Sequence, residues 1–223
     1  MNKKYHVIRS ILLPGMAILW GFLYYRILYN RNMLLSLDDI STNILTIVLQ
    51  HILVNLPIIL LLLITGKRMG GKRFFFMVPS KKVWKIAWII CVILYGVLLF
   101  YALQINRNWI KVLYIWIFYL LFVSFMEEYL YRGLIPALEK NKLPKGFEWI
   151  VPNVLFTLSH YVMLFVEPSG IHGITISTLI RFFITTMIFG IVMELLKRKS
   201  NSLYIPVFVH AIYDFYEEIM LWV

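Results

Sequence analysis

Seven stretches of this chain are apolar for long enough to cross a bilayer, near residues 7–28, 41–65, 83–105, 109–139, 149–166, 174–196 and 203–223. A hydrocarbon core about 30 Å thick is spanned by roughly 20 residues of helix. Inside it no water can satisfy an open backbone N–H or C=O, so each run must close its hydrogen bonds within itself. The expected fold class is therefore all-α, a polytopic transmembrane helical bundle of about seven spans. Composition excludes the alternatives: 61% of the 223 residues are hydrophobic, 15% are charged and the mean hydropathy is +0.79, which rules out disordered and collagen-like chains. The lone Cys91 cannot pair within the chain, which removes a disulfide scaffold. With no internal repeat or soluble segment visible, residues 1–223 read as a single integral membrane domain. Three N-terminal helices fall in 1–105 and a motif-bearing core in 106–223.

The net charge of +11 has a topological reading. Lys and Arg sit at the ends of the apolar runs, as the positive-inside rule requires, and form no groove-reading motif, so a nucleic-acid partner is not expected. With the N-terminus cytoplasmic, sixteen of the 22 basic residues fall in four inner segments, four (Arg26, Arg31, Arg107 and Lys111) in outer loops, and Arg132 and Arg181 inside spans. An odd number of spans then puts the C-terminus outside. The first run is too long for a signal peptide and is followed by no small-residue cleavage site, so it reads as an uncleaved helix. The basic cluster from Lys67 to Lys85 reads as a topology anchor that attracts anionic headgroups.

Ionisable residues inside spans cost a few kcal/mol each and usually mark function or an internal pair. Glu128 and Arg132 are at i and i+4, the acid-before-base order that pairs best on a helix. Glu127 is rotated by about 100° to another face, leaving a carboxylate suited to general acid or base work; the same residues read equally well as a structural ion-pair network. Phe156 sits one turn before His160 and can pack against its ring. Asp214 follows His210 at i+4, where it can fix the imidazole tautomer or share a ligand site, although a helix–helix hydrogen bond explains that pair as well. Depth links them: at ~1.5 Å per residue, Glu127, His160 and His210 lie ~14, ~17 and ~11 Å from the cytoplasmic ends of their spans. A carboxylate and two imidazoles at similar height form a candidate water-activating site in the cytoplasmic half of the bilayer. Farther out, Arg181 is expected to form an ion pair with Glu217 or Glu218. His51 and Glu194 read as a packing histidine and an interfacial glutamate.

Glu127-Glu128 with Arg132, Phe156 with His160, and His210 with Asp214 resemble the three motifs of the CAAX protease and bacteriocin-processing (CPBP, or Abi) family of intramembrane proteases. The resemblance covers roughly residues 120–220. It implies an endopeptidase in which Glu127, aided by His160, activates water, His210 and position 214 bind the oxyanion, and Glu128 and Arg132 hold the motif helix. Asp214 stands where asparagine is common, and an ionised aspartate cannot donate to an oxyanion. Either it is protonated, or it orients His210, or it helps to bind a metal. The family is often labelled metalloprotease, and His160 and His210 with Glu127 or Asp214 make a three-ligand set for Zn²⁺. No HExxH motif is present, and a direct glutamate and histidine mechanism uses the same residues, so the expectation leans against a tightly held metal.

The leading function is hydrolysis of a peptide bond in a membrane-associated or small peptide substrate, either the C-terminus of a prenylated protein or a bacteriocin or pheromone precursor. Composition favours a bacterial plasma membrane. The second class is non-catalytic: a scaffold that binds a kinase or another partner membrane protein, or a bacteriocin self-immunity protein. A proton relay or transporter is disfavoured because no paired broken helices or repeats appear.

Overall fold

The computed structural model describes residues 3–30, 40–68, 79, 81–136, 147–164 and 175–223. Most of these residues are helical, with no strand among them. The helices are α1 (Lys3–Asn30), α2 (Ile40–Arg68), α3 (Lys82–Ile105), α4 (Trp109–Phe118), α5 (Phe147–Leu164), α6 (Ile176–Ser200) and α7 (Tyr204–Met220). Past Phe118 the fourth helix runs on through a π-helical segment, π1 (Tyr119–Phe125), one α-helical turn (Met126–Glu128) and a second π segment, π2 (Tyr129–Leu134).

Among the described residues, four segments are long and apolar enough to cross a membrane: Thr42–Ile64, Lys82–Ile105, Trp109–Leu134 and Ile176–Ser200. Helices α1, α5 and α7 lie at the other three apolar runs and are not among these four segments. Of the basic residues used to orient the chain, Arg31, Lys72, Arg73, Lys140, Lys142 and Lys145 lie outside the described residues.

The contacts divide the chain into two compact units, each drawing on both halves of the sequence: residues 1–34 with 129–195, and residues 35–128 with 196–223. In the second unit, α7 packs against α3 and π1, and α2 packs against α4. Its core gathers Ile40, Ile47, Tyr95, Ala102, Val112, Ile115, Ala211, Phe215 and Ile219. Helix α3 shows the inverted pattern of a lipid-facing helix. Val83, Ile86, Ile90, Ile93, Val97 and Phe100 are exposed, while Tyr95 and Ala102 turn inward. Two aromatic residues tie α3 to α4 through the backbone. Tyr95 Oη donates to the Trp116 carbonyl at 2.5 Å, and Trp116 Nε1 donates to the Tyr95 carbonyl at 3.1 Å. With α-helical carbonyls already engaged by their own helices, such second bonds give each aromatic polar atom a partner that hydrocarbon cannot offer.

Short polar devices set the helix ends. The Asn108 side chain caps α4 by accepting from Lys111 N at 3.1 Å. The turn from α6 to α7 passes through Asn201 at φ 51°, a left-handed residue of the kind that ends helices. Ser202 Oγ then accepts from Tyr204 N at 3.2 Å. His51 Nδ1 meets Tyr114 Oη at 2.5 Å and its ring lies 4.3 Å from that of Phe118, so it is a packed histidine tying α2 to α4.

In the first unit, α1 and π2 both pack against α5. Pro152 lies inside α5, and one residue on, Asn153 Nδ2 donates to the Trp149 carbonyl at 2.7 Å. Glu194, expected at the interface, is buried.

Candidate active site

Three carboxylates surround one imidazole within the second unit. His210 Nδ1 lies 3.0 Å from Glu128 Oε1. On the other side of the ring, Nε2 lies 3.3 Å from Asp214 Oδ2 and 3.9 Å from Glu127 Oε2. An ionised carboxylate only accepts, so two carboxylates on opposite ring nitrogens call for a proton on each nitrogen or on one of the acids. Exposure separates the roles. The Glu128 side chain is 0% exposed and that of His210 3%, whereas Asp214 and Glu127 retain 18% and 27%. Glu128 is therefore a sealed anchor for the ring, and Glu127 is the most accessible of the three acids.

Local structure explains how adjacent glutamates take different positions. Met126–Glu128 is a single α-helical turn between two π segments. Such wide turns are rare and concentrate at functional sites. Sequence spacing singled out Arg132 as the partner of Glu128; what Glu128 holds within its own unit is His210. Asp214 and His210 face each other as i, i+4 neighbours.

The remaining motif residues lie in the first unit. Arg132 is fully buried; its Nη2 donates to the Gly190 carbonyl at 3.2 Å and to Asn153 Oδ1 at 3.4 Å. Its guanidinium carbon stands 4.2 Å from the centre of the Phe156 ring, a cation–π contact in a desolvated setting. The same ring packs against His160 at 4.4 Å between centroids. Phe156 thus serves both the buried cation and the second histidine. The Phe156 carbonyl accepts from His160 Nδ1 at 2.9 Å, which in the neutral ring makes Nε2 the basic nitrogen.

Arg181 belongs to the first unit and Glu217 and Glu218 to the second, and each glutamate has a partner inside its own unit. Glu218 accepts from Tyr119 Oη at 3.0 Å and from Trp222 Nε1 at 3.2 Å. Glu217 accepts from the Tyr213 hydroxyl. The zinc set expected from sequence, His160 and His210 with a carboxylate, draws on both units. Among the described residues no three His, Cys, Asp or Glu side chains are grouped as a metal ion requires, and each ring nitrogen of His210 already faces a carboxylate.

Sequence reasoning missed Asn153, Gly190 and Tyr119. Gly190 gives no sign in the sequence because its contribution is a backbone oxygen. Asn153, directly after Pro152 in an apolar run, was the readable signal.

Apolar helices around a sealed imidazole between carboxylates are those of a multi-spanning membrane protein. The comparison with known families agrees: residues 108–216 match the family described as Type II CAAX prenyl endopeptidase Rce1-like, a family of proteases. No curated protein and no solved structure matches the chain.

A methyl group at position 190 would lie 2.7 Å from Asn153 Oδ1, 3.1 Å from Arg132 Nη2 and 3.3 Å from Phe156 Cδ1. Asn153 is itself tied to Trp149, so the seat cannot relax cheaply. Gly190→Ala is expected to cost about 1–3 kcal/mol by overpacking, read as a lower thermal midpoint in detergent. An unchanged midpoint would refute this account of the arginine seat.

Proposed function

We propose that this chain is an intramembrane endopeptidase whose working base is Glu127. The observation that carries the reading is the buried His210 ring, fixed by Glu128 at 3.0 Å with Asp214 and Glu127 at 3.3 and 3.9 Å from its other nitrogen. Glu127, the most accessible acid, takes a proton from water as the water oxygen bonds to the scissile carbonyl carbon. The carbonyl electron pair moves to oxygen, where it meets the Nε2–H of His210, which is held at Nδ1 by Glu128 and shared on this side with Asp214 at 3.3 Å. When the C–N bond breaks, the proton passes from Glu127 to the leaving nitrogen. Glu128 and Asp214 position the ring, so Asp214 has no need to donate to the oxyanion. The supporting role of His160 rests on the motif resemblance.

The substrate class is a small or membrane-associated peptide, either a CAAX-type C-terminus or a bacteriocin or pheromone precursor. The seven-span arrangement, with the N-terminus cytoplasmic, the C-terminus outside and the site in the cytoplasmic half of a bacterial plasma membrane, is part of the same proposal and rests on the loop charges. Reporter fusions after Val223 are expected to be active only outside the membrane; activity inside would reverse the orientation.

Peptides and trimmed membrane-protein termini from cells making wild type or Glu127→Ala, at matched membrane levels, test the chemistry. Specific fragments are expected to fall by roughly 10²–10⁴-fold in the variant, the range of general acid–base catalysis. Identical fragment profiles would sink the peptidase reading and leave a scaffold or immunity role. Asp214→Asn keeps a side chain that can hold the ring and is expected to retain most of the activity that His210→Ala loses; equal losses would make the carboxylate obligatory.

A further inference from the structure

Helix α7 carries His210, Asp214 and Glu218 at i, i+4 and i+8, one row along one face. A second polar row faces it from the fourth helix. In π1, where hydrogen bonds join residues five apart, Ser124 stacks over Tyr119. The following α-helical turn places Glu128 four residues farther on. The rows run antiparallel and are tied at both ends, by Glu128 to His210 at 3.0 Å and by Tyr119 Oη to Glu218 Oε2 at 3.0 Å. From Tyr119 to Glu128 the first row spans one residue more than the second does from His210 to Glu218. The wide π turn takes up the extra residue, so both ties form.

The middle rung, Ser124 and Asp214, is different. Ser124 has no exposed surface, and its hydroxyl has no hydrogen-bond partner among the described residues. Left dry, such a group forfeits the hydrogen bonds that it makes in water. At the matching place in the α7 row, between the two ties, Asp214 retains 18% of its side-chain surface. By this register the Ser124 hydroxyl and the Asp214 carboxylate offer a bridging water the two polar partners that it needs at least. Toward the start of α7 the row is closed by buried Ile205, Pro206 and Val207. Toward its end lie exposed Glu217 and half-buried Glu218 and Trp222.

We infer that the rung between Ser124 and Asp214 holds water, exchanged along this polar seam with the membrane face that carries Trp222. His210 is thereby served with solvent from that face. The seam stands on its own geometry; only the use of its water in hydrolysis rests on the peptidase reading.

Thiol accessibility tests it without an activity assay. In a Cys91→Ser background, Ser124→Cys is treated with a membrane-impermeant cationic methanethiosulfonate in right-side-out and in inverted vesicles, while Glu217→Cys identifies the Trp222 face. Labelling of Ser124→Cys is expected to be at least threefold faster from the face that labels Glu217→Cys than from the opposite one. Anything less, including no labelling, overturns the seam. If Ser124→Cys does not accumulate, the unaltered protein is treated from the same face with a water-soluble carbodiimide and its peptides are weighed. Modification of Asp214 together with Glu217 supports the seam, and modification of Glu217 alone overturns it.

Discussion

A carboxylate removed from water needs a partner that stays in place, and in hydrocarbon a few kcal/mol hang on each such group. Glu128 has no exposed surface, and the partner within its unit is the His210 ring at 3.0 Å. That bond fixes the rotation of α7, because His210 can face Glu128 only when Ala211, Phe215 and Ile219 enter the core beside it. Turning α7 by one residue would either bring the apolar row to the carboxylate or, in the opposite sense, send the polar row into packed side chains. The apolar contacts of Phe215 with Tyr95, at 5.8 Å between ring centres, and the polar contact of His210 therefore specify the same docking.

The fourth helix makes that docking possible by abandoning regular α geometry on both sides of the glutamate pair. A straight α-helix would present Tyr119 and Glu128 in a register that does not match Glu218 and His210 on a straight α7. A π segment changes the register by one residue without breaking the backbone ladder. In a membrane this matters more than in water, since a break would leave carbonyls and N–H groups bare. Arg132, on the far side of the pair, is likewise housed by backbone: the Gly190 carbonyl accepts its proton where any side chain at 190 would collide.

The helical class and the three motif helices were legible because both signals are local: apolar length, and polar residues at spacings of four. His210 with Asp214 and Phe156 with His160 are neighbours on one helix, so spacing alone placed them. The partner of Glu128 was not legible, since spacing suggests same-helix neighbours and the bond runs to a residue 82 positions away. Nor could a 3.6-residue period reveal two π segments. Tyr119 was hidden for another reason. In a chain that is 17% aromatic, one more tyrosine in an apolar run carries no signal until Glu218 stands opposite.

The polar face of α7 also bears on how the protein is made. His210, Asp214, Glu217 and Glu218 fall within its 17 residues, and an aspartate near the centre of a helix opposes insertion by about 2.5–3.5 kcal/mol. This helix is therefore ill suited to partition into lipid by itself. Its hydrogen-bond partners, Tyr119 and Glu128, lie on a segment that leaves the ribosome more than 80 residues earlier. Insertion of α7 is then a docking event, templated by helices already in the bilayer, and its arrival closes the cluster of His210 with the glutamate pair.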